Sequence, residues 1–255
     1  MPVAMPKIAD LPPPSKLLWA AELPRAAWTV ARYGMSRARP DDAPRGDGRP
    51  VMVLPGLFNS DRSNFALRQY LRTLGYAAHG WELGRNFGTR TVGEEGERLF
   101  TRIAAMHAEH GAPVTLIGVS LGGMLARLAA QRLPDLVREV ITVSSPFAGD
   151  PRSTNIWRAY EWITGEKVTS ESIRERTAEI AAPLPVPSTA IWSASDGLVN
   201  GLICYAADDP LCRNIEIRSS HMGVQINPDV LRVVAEVLAD RPSAGRSCPE
   251  SGSAL

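Results

Sequence analysis

The sequence predicts an α/β protein whose mainly parallel sheet is covered by helices on both faces. Short, almost wholly apolar runs such as VMVL (51–54) and VTLIGV (114–119) indicate strands that are buried on both sides. Longer segments with apolar residues at helical spacing separate these runs, and this alternation is typical of parallel strands joined by helices. With 255 residues, the chain is long enough for one domain with a full hydrophobic core.

About six strands and four core helices follow from this pattern. The strands are predicted at 51–54, within 76–83, and at 114–119, 137–145, 188–195 and 214–220. The helices are predicted from an N-cap at Asp61 or Ser63 to Gly75, from near Thr91 to Gly111, from 121 onward with an interruption at Pro134, and over 228–240.

The predicted elements define a core of residues 47–149 and 188–240. Residues 150–187 break the alternation with the segment NIWRAYEWI and a proline cluster, which predicts a small helical cap inserted above the carboxyl edge of the sheet. Residues 1–46 form an N-terminal extension, and the polar residues 241–255 are predicted to be a disordered tail.

Within the extension, residues 16–34 predict a short amphipathic helix pair that is broken at Pro24. Packing of this pair onto the domain is favoured, and peripheral contact with a membrane surface is the alternative. The N-terminal residues lack the apolar stretch of a signal peptide, and no apolar run approaches the roughly 20 residues of a membrane span. A cytoplasmic location is therefore expected.

Composition excludes several classes of protein. The net charge is +1, so the chain has no basic field and we expect no nucleic-acid partner. Three cysteines are too few for a disulfide scaffold. Cys204 and Cys212 flank a short loop and either form a disulfide or remain free thiols, with free thiols favoured.

His107 and His110 have a spacing that could hold a metal, but no carboxylate or cysteine group completes such a site, so no metal is expected.

The segment GVSLGG (118–123) fits the pattern G-x-S-x-G. A buried-strand run precedes Ser120 and a helical pattern follows it, which is the context in which this motif places a serine on a sharp strand-to-helix turn. A glycine-rich turn with an inactive serine is the alternative. The context favours a serine whose hydroxyl projects at the edge of the sheet.

A serine hydroxyl becomes a nucleophile only beside a base that a third group orients. Because parallel strands bring their carboxyl ends to one edge, the acid and the base are expected just after later strands. Asp196 follows the run IWSAS and His221 follows IEIRSS, so the predicted set is Ser120, Asp196 and His221. Asp150 is the rival acid. The other candidates, for which packing or solvent exposure is favoured, are His79, His107, His110, Asp208 and Asp209.

Two backbone N–H groups are candidates for an oxyanion hole. Attack by Ser120 on a carbonyl carbon places negative charge on its oxygen, which preorganised donors stabilise. The N–H of Leu121 directly follows the serine at a helix start. The second donor is expected in the turn PGLF (55–58), with Leu57 favoured and Phe58 as the alternative.

These segments resemble serine hydrolases of the α/β-hydrolase superfamily, nearest to bacterial lipase-like and esterase-like members. The resemblance covers roughly residues 50–240 and rests on LPGLFNS, WELGRNFG, GVSLGG, ASDGLVN and SSHMGV. It implies that these carry one oxyanion donor, a loop beside the site, the nucleophile, the acid and the base, respectively. Many lipases place His-Gly where this chain has Pro55-Gly56.

The resemblance implies a carboxylic ester hydrolase that works through an acyl-enzyme, needs no cofactor, and acts on a small-molecule ester or a lipid. On the cap, Ile156, Trp157, Tyr160 and Ile163 fall at helix spacings that form one apolar face. Trp157 and Tyr160, together with Phe58, are the candidates for substrate binding. An acyltransferase with the same triad and a non-catalytic binding protein on this scaffold are the alternatives.

Overall fold

The structure is a computed structural model that describes residues 11–36, 43–206 and 209–240. The strands within these ranges are β1 (Pro50–Leu54), β2 (Ala77–Gly80), β3 (Val114–Val119), β4 (Val137–Val143), β5 (Ser188–Trp192) and β6 (Cys212–Glu216). They form one six-stranded sheet in the order β2-β1-β3-β4-β5-β6, and every neighbouring pair is parallel. The predicted parallel sheet is therefore confirmed.

Helices cover both faces of this sheet. The described helices are α1 (Lys16–Ala20), α2 (Glu22–Ser36), α3 (Phe65–Leu74), α4 (Thr89–Val92), α5 (Glu97–His110), α6 (Leu121–Arg132), α7 (Trp157–Thr164), α8 (Glu171–Ala181) and α9 (Pro228–Ala239). Side chains of α3 and α9 pack against one face, and those of α5 and α6 pack against the other. Because both faces are covered, β1 and β3 are buried at every residue, which explains their apolar sequences.

The strand order brings three loops to one edge of the sheet. All strands run in the same direction, so their carboxyl ends lie together. Ser120 directly follows β3, Asp196 follows β5 after three residues, and His221 follows β6 after four residues. Ligands of open α/β sheets bind at this edge.

The segment between β4 and β5 contains α7 and α8. The guanidinium of Arg127 on α6 donates to the carbonyl oxygens of Ile180 and Ala182 at 2.7 Å each, which ties the end of α8 to the helix that follows Ser120. The boundaries predicted for the extension, the core and the cap stay predictions. The predicted tail, 241–255, lies outside the described residues.

The extension contains two helices, but the break lies at Ala21 and the prediction of a break at Pro24 is wrong. Pro24 sits in the first turn of α2, where the N–H that proline lacks has no partner inside the helix. The inner side of α2 packs on the domain through Glu22 and Thr29, whereas its outer side leaves large apolar side chains such as Trp28 exposed. Contact of residues 16–34 with a membrane surface stays a prediction. Across the described ranges, no helix is both long and apolar enough to cross a bilayer.

The N-cap of α3 is Asn64, not Asp61 or Ser63. The carboxylate of Asp61 is engaged elsewhere, because it accepts the N–H groups of Trp81 at 3.0 Å and Glu82 at 3.1 Å. The hydroxyl of Ser63 donates to the carbonyl oxygen of Ser60 at 2.7 Å. Gly75 ends α3, as predicted, and it adopts a left-handed conformation.

The long helix predicted from Thr91 to Gly111 is divided into α4 and α5. Gly93 and Gly96, which separate the two, have φ angles of 92° and 86°, and a right-handed helix cannot continue through such values. The last two strands are also shorter than predicted. Both end before the serine-rich segments that lead to Asp196 and His221.

Candidate active site

Ser120 adopts a backbone conformation that residues other than glycine rarely populate, with φ 52° and ψ −121°. Such a conformation costs on the order of 1–3 kcal/mol and persists only where the surroundings impose it. A Cβ at Gly118 would overlap the backbone of Gly123, and a Cβ at Gly122 would overlap the carbonyl oxygen of Leu54. The motif glycines therefore allow β3, α6 and β1 to approach closely around a strained serine.

The structure brings the predicted serine, histidine and aspartate into one hydrogen-bonded chain. The Nε2 atom of His221 lies 3.1 Å from the Oγ of Ser120, and its Nδ1 atom lies 2.7 Å from the Oδ2 of Asp196. This is the arrangement in which an imidazole can take a proton from a serine hydroxyl while a carboxylate orients the ring.

The environment of Asp196 fixes both its own orientation and that of the imidazole. The residue is 2% exposed, and its second oxygen, Oδ1, accepts the N–H groups of Leu198 and Val199 at 2.9 Å each. An ionised carboxylate only accepts hydrogen bonds, so the Nδ1 atom of His221 carries the proton that it donates. The Nε2 atom is then free to accept from Ser120.

The pKa of His221 is raised above 6.5, the ordinary value for histidine. Burial of the ring acts in the opposite direction, since it disfavours the charged imidazolium. The charge of Asp196, its hydrogen bond and the charge of Glu22 together outweigh that effect. The site therefore stabilises the protonated ring of His221.

The rival acids are engaged in turns. Asp150 accepts the N–H of Arg152 at 2.7 Å and caps a short 3-10 turn. Asp209 accepts the N–H of Leu211 at 2.9 Å and is buried, so the prediction that it faces solvent is wrong. Asp208 lies outside the described residues.

Two of the other histidines contact each other. The Nε2 atoms of His79 and His110 lie 3.2 Å apart, so His79 is packed and hydrogen-bonded as predicted. His107 and His110, which are predicted on a solvated helix face, are both partly exposed. In the part of the chain that the structure describes, His, Cys, Asp and Glu side chains form no group of three that could hold a metal ion.

The loop after β1 distinguishes between the two candidates for the second oxyanion donor. The N–H of Phe58 donates to the carbonyl oxygen of Asn86 at 2.8 Å, which occupies it. The N–H groups of Leu57 and Leu121 have no acceptor among the described residues. A Cβ at Gly56 would lie 3.3 Å from the Cβ of Ser120, so this loop lies against the serine. The geometry favours Leu57 and Leu121 over Phe58.

Ser120 and Leu57 line two hollows. The first is predominantly apolar and is lined in part by side chains of α7 and α8. Its apolar lining includes Val92, Leu121, Met124, Leu125, Leu128, Ile156, Trp157, Val168, Ile173 and Ile180, and Tyr160 also contributes. The second contains His221, Met222, Phe58 and Leu198. Trp157 and Tyr160 therefore lie together in one hollow and Phe58 in the other, whereas Ile163 is buried and lines neither.

A family model described as the alpha/beta hydrolase fold matches residues 103–195, a range that includes β3, Ser120 and β4. The chain has the α/β-hydrolase fold. No curated protein matches it.

Several solved structures share this α/β-hydrolase fold. Lipase B of Aspergillus fumigatus aligns with a TM-score of 0.55 and 17% identity over 75% of this chain, which spans only 52% of that lipase. A metagenome-derived lipolytic enzyme of the LipS and LipT pair aligns with a TM-score of 0.59 and 14% identity, over 78% of this chain and 96% of the other. The lipase BlEst2 of Bacillus licheniformis aligns with a TM-score of 0.56 and 18% identity, over 78% and 94%.

One residue that shapes this site, Asn86, is missed by the sequence reasoning. Its side-chain Nδ2 donates to the carbonyl oxygen of Pro55 at 2.7 Å, and its own carbonyl oxygen accepts the N–H of Phe58. Asn86 thereby holds the turn that presents the N–H of Leu57. Its segment, WELGRNFG, is singled out above as a loop beside the site, and an asparagine between the two glycines of that loop is the signal that could have identified it.

The two cysteines near the acid are free thiols. Cys204 is buried, and this burial, together with the charge of Asp196, raises the pKa of its thiol. Cys212 is partly exposed and lies in β6. A buried thiol with a raised pKa is unreactive, so neither the site nor its chemistry draws on Cys204.

Proposed function

We propose that this chain is a serine hydrolase that cleaves carboxylic esters through an acyl-enzyme intermediate. The observation that carries the proposal is the hydrogen-bonded chain from Ser120 through His221 to Asp196, built on a strained turn at the edge of the sheet. The unpaired N–H groups of Leu57 and Leu121 supply the complementary donors. The likeness of the fold to solved lipases is consistent with this assignment.

In the first half-reaction, the Oγ of Ser120 attacks the ester carbonyl carbon while its proton moves to the Nε2 of His221. The carbonyl oxygen becomes an oxyanion held by the N–H groups of Leu57 and Leu121. Asp196 keeps the Nδ1 proton in place and stabilises the imidazolium. The tetrahedral intermediate then expels the alkoxide, which takes the proton from Nε2 and leaves as an alcohol.

In the second half-reaction, water replaces the alcohol. His221 accepts a proton from the water as its oxygen attacks the acyl carbon, and it returns that proton to the Oγ of Ser120 when the acyl–oxygen bond breaks. The acid is released and the free serine is regenerated. No redox step or cofactor enters this sequence of events.

The two hollows suggest how an ester is oriented. The leaving alcohol must lie near the Nε2 of His221, which protonates it, so the hollow that contains His221 and Phe58 is assigned to the alcohol group. The apolar hollow is then assigned to the acyl chain, against Trp157 and the ring of Tyr160. The hydroxyl of Tyr160 donates to Glu166 at 2.6 Å, so the ring is held in place. This arrangement supports esters of apolar acids as substrates, including lipids.

The test combines turnover with labelling of the serine. Wild-type protein is expected to hydrolyse p-nitrophenyl acyl esters and to react covalently with a fluorophosphonate at Ser120. Ser120→Ala should abolish both, because no other hydroxyl contacts the imidazole in the described structure. Ser172→Ala changes an exposed serine of α8 that lines neither hollow, and it serves as the matched control. Wild-type turnover in Ser120→Ala, or labelling at another serine, contradicts the proposal.

A further inference from the structure

Glu22, the first residue of α2, is a buried carboxylate that belongs to the N-terminal extension and contacts two loops of the site. The residue is 2% exposed. Its Oε1 accepts the N–H of Gly197 at 2.7 Å and that of His221 at 3.1 Å, and its Oε2 accepts the N–H of Met222 at 2.8 Å. The Glu22 side chain thus binds Gly197, which follows Asp196, and also binds His221 and its neighbour Met222.

Residues 11–36, which we call the N-terminal strap, make further contacts with the same loops. The guanidinium of Arg25 donates to the carbonyl oxygen of Ser195 at 2.6 Å and to its hydroxyl at 3.0 Å. Carbonyl oxygens of the strap accept side-chain donors at Leu11 from Ser153, at Pro12 from Asn200 and at Pro14 from Asn155, with distances of 2.6, 2.8 and 3.1 Å. The strap therefore crosses the acid turn and the start of the cap segment.

The loops that carry Asp196 and His221 pack closely against the strap. A Cβ at Gly197 would overlap the carbonyl oxygen of Leu18, so α1 approaches the acid turn more closely than any other residue at position 197 would allow. Burying a carboxylate is expensive unless donors replace its water. Three backbone N–H groups and the Arg25 guanidinium, 3.9 Å from Oε1, surround the carboxylate of Glu22.

Glu22 also acts on the imidazole through its charge. Two carboxylates influence the ring of His221, Asp196 from the loop after β5 and Glu22 from α2, and both raise its pKa against the effect of burial. An opposing charge, that of Arg25, lies 3.9 Å from the Oε1 of Glu22. Glu22 lines neither of the two hollows, so it has no contact with a substrate placed there.

We propose that Glu22 is a positioning residue of the active site, one that fixes the loops carrying Asp196 and His221 and supplies a second negative charge beside the imidazolium. This inference rests on the proposed function for its catalytic consequence. The effect of Glu22 on the pKa of His221 can be measured without a substrate.

The experiment compares Glu22→Gln with wild-type protein. Glutamine has nearly the same shape, but it lacks the charge and turns an N–H₂ group toward at least one backbone N–H. Loss of a buried hydrogen bond to a charged group predicts a kcat about ten- to a hundredfold lower. KM should be unchanged, because Glu22 lies outside the hollows. The pKa of His221, followed by NMR of labelled histidine, should fall, and the acid limb of the kcat/KM profile should move to lower pH with it.

Arg32→Gln is the matched control. Arg32 anchors the same helix through its two bonds to Asp229 on α9, at 3.0 and 3.2 Å, and contacts neither loop of the site. It should leave the His221 titration and kcat as in wild-type protein. Equal changes in both variants would assign the effect to attachment of the helix and overturn the role of the Glu22 carboxylate.

The remaining outcomes separate this inference from the proposed function. An unchanged His221 titration in folded Glu22→Gln protein overturns the inference whether or not esters are cleaved. A lowered pKa in a protein that neither hydrolyses esters nor reacts with a fluorophosphonate leaves the geometry standing and refutes the proposed function. If Glu22→Gln does not fold, Glu22→Asp is the second variant, because it keeps the charge on a shorter side chain. A His221 pKa and a kcat that both equal the wild-type values in Glu22→Asp would overturn the positioning role.

Discussion

The imidazole Nε2 of His221 lies 3.1 Å from the hydroxyl oxygen of Ser120, although 101 positions separate the two residues in the chain. Their proximity follows from the sheet. Ser120 directly follows β3, His221 lies in the loop after β6, and the parallel direction of all strands brings the loops after β3, β5 and β6 to the same edge. In the sheet, β4 lies between β3 and β5, and β6 lies beyond β5. The loops after β5 and β6 must therefore extend back across the sheet edge to reach Ser120.

Replacing Asp196 tests the orientation of the imidazole. In Asp196→Asn, an amide N–H₂ can face the Nδ1 atom and favour the tautomer in which Nε2 carries the proton and cannot accept from Ser120. We expect kcat to fall by on the order of 10⁴ with little change in fold. Steady-state kinetics with a p-nitrophenyl ester measures the loss. Asp150→Asn, at the rival acid, should retain activity; the reverse result would transfer the role to Asp150.

The raised pKa of His221 predicts how activity depends on pH. The base must be neutral, so kcat/KM should decline as the pH falls through a midpoint above 6.5. The effect on stability has the opposite sign: the fold favours the protonated ring, so this contribution is present at low pH and is lost as the pH rises through the raised pKa. A pH profile with a non-ionising ester checks the first statement. A midpoint below 6.5 would contradict the dominance of Asp196 and Glu22 over burial.

Local sequence patterns predict the sheet and the three residues at its edge, because buried parallel strands and G-x-S-x-G are short-range signals. The acid and the base are found only because strand ends share one edge. Glu22 escapes such reasoning, since its partners are 175 to 200 positions away and a glutamate at a helix start looks like an ordinary first-turn acid. Similarly, the N-cap at Asn64 is not evident, because Asp61 is an equally favoured cap residue and its engagement by the N–H of Trp81 arises only in the folded chain.

The close packing behind Ser120 can be tested at Gly122. In Gly122→Ala the new Cβ meets the backbone carbonyl oxygens of Leu54 and Pro55, which cannot rotate away. We expect a loss of about 1–3 kcal/mol in the free energy of unfolding and reduced kcat, because α6 and the N–H of Leu121 must shift. Chemical denaturation and ester kinetics measure both. Gly34→Ala, where a Cβ meets no atom within 4 Å, should be neutral or slightly stabilising.

The apolar hollow predicts a preference for longer acyl chains that a bulky substitution should remove. Ile173 on α8 lines this hollow and is nearly buried, so Ile173→Trp would fill part of the space assigned to the acyl chain. Loss of one to a few methylene contacts costs about 0.8 kcal/mol each, which predicts roughly a fourfold loss in kcat/KM per excluded methylene for long esters and little change for acetate. The measurement is kcat/KM across a series of p-nitrophenyl esters.

Trp162→Ala, at an exposed residue of α7 that does not line the hollow, should leave the series unchanged. An equal loss of kcat/KM for short and long esters in Ile173→Trp would instead indicate damage around Ser120 and would contradict the assignment of the acyl chain to this hollow.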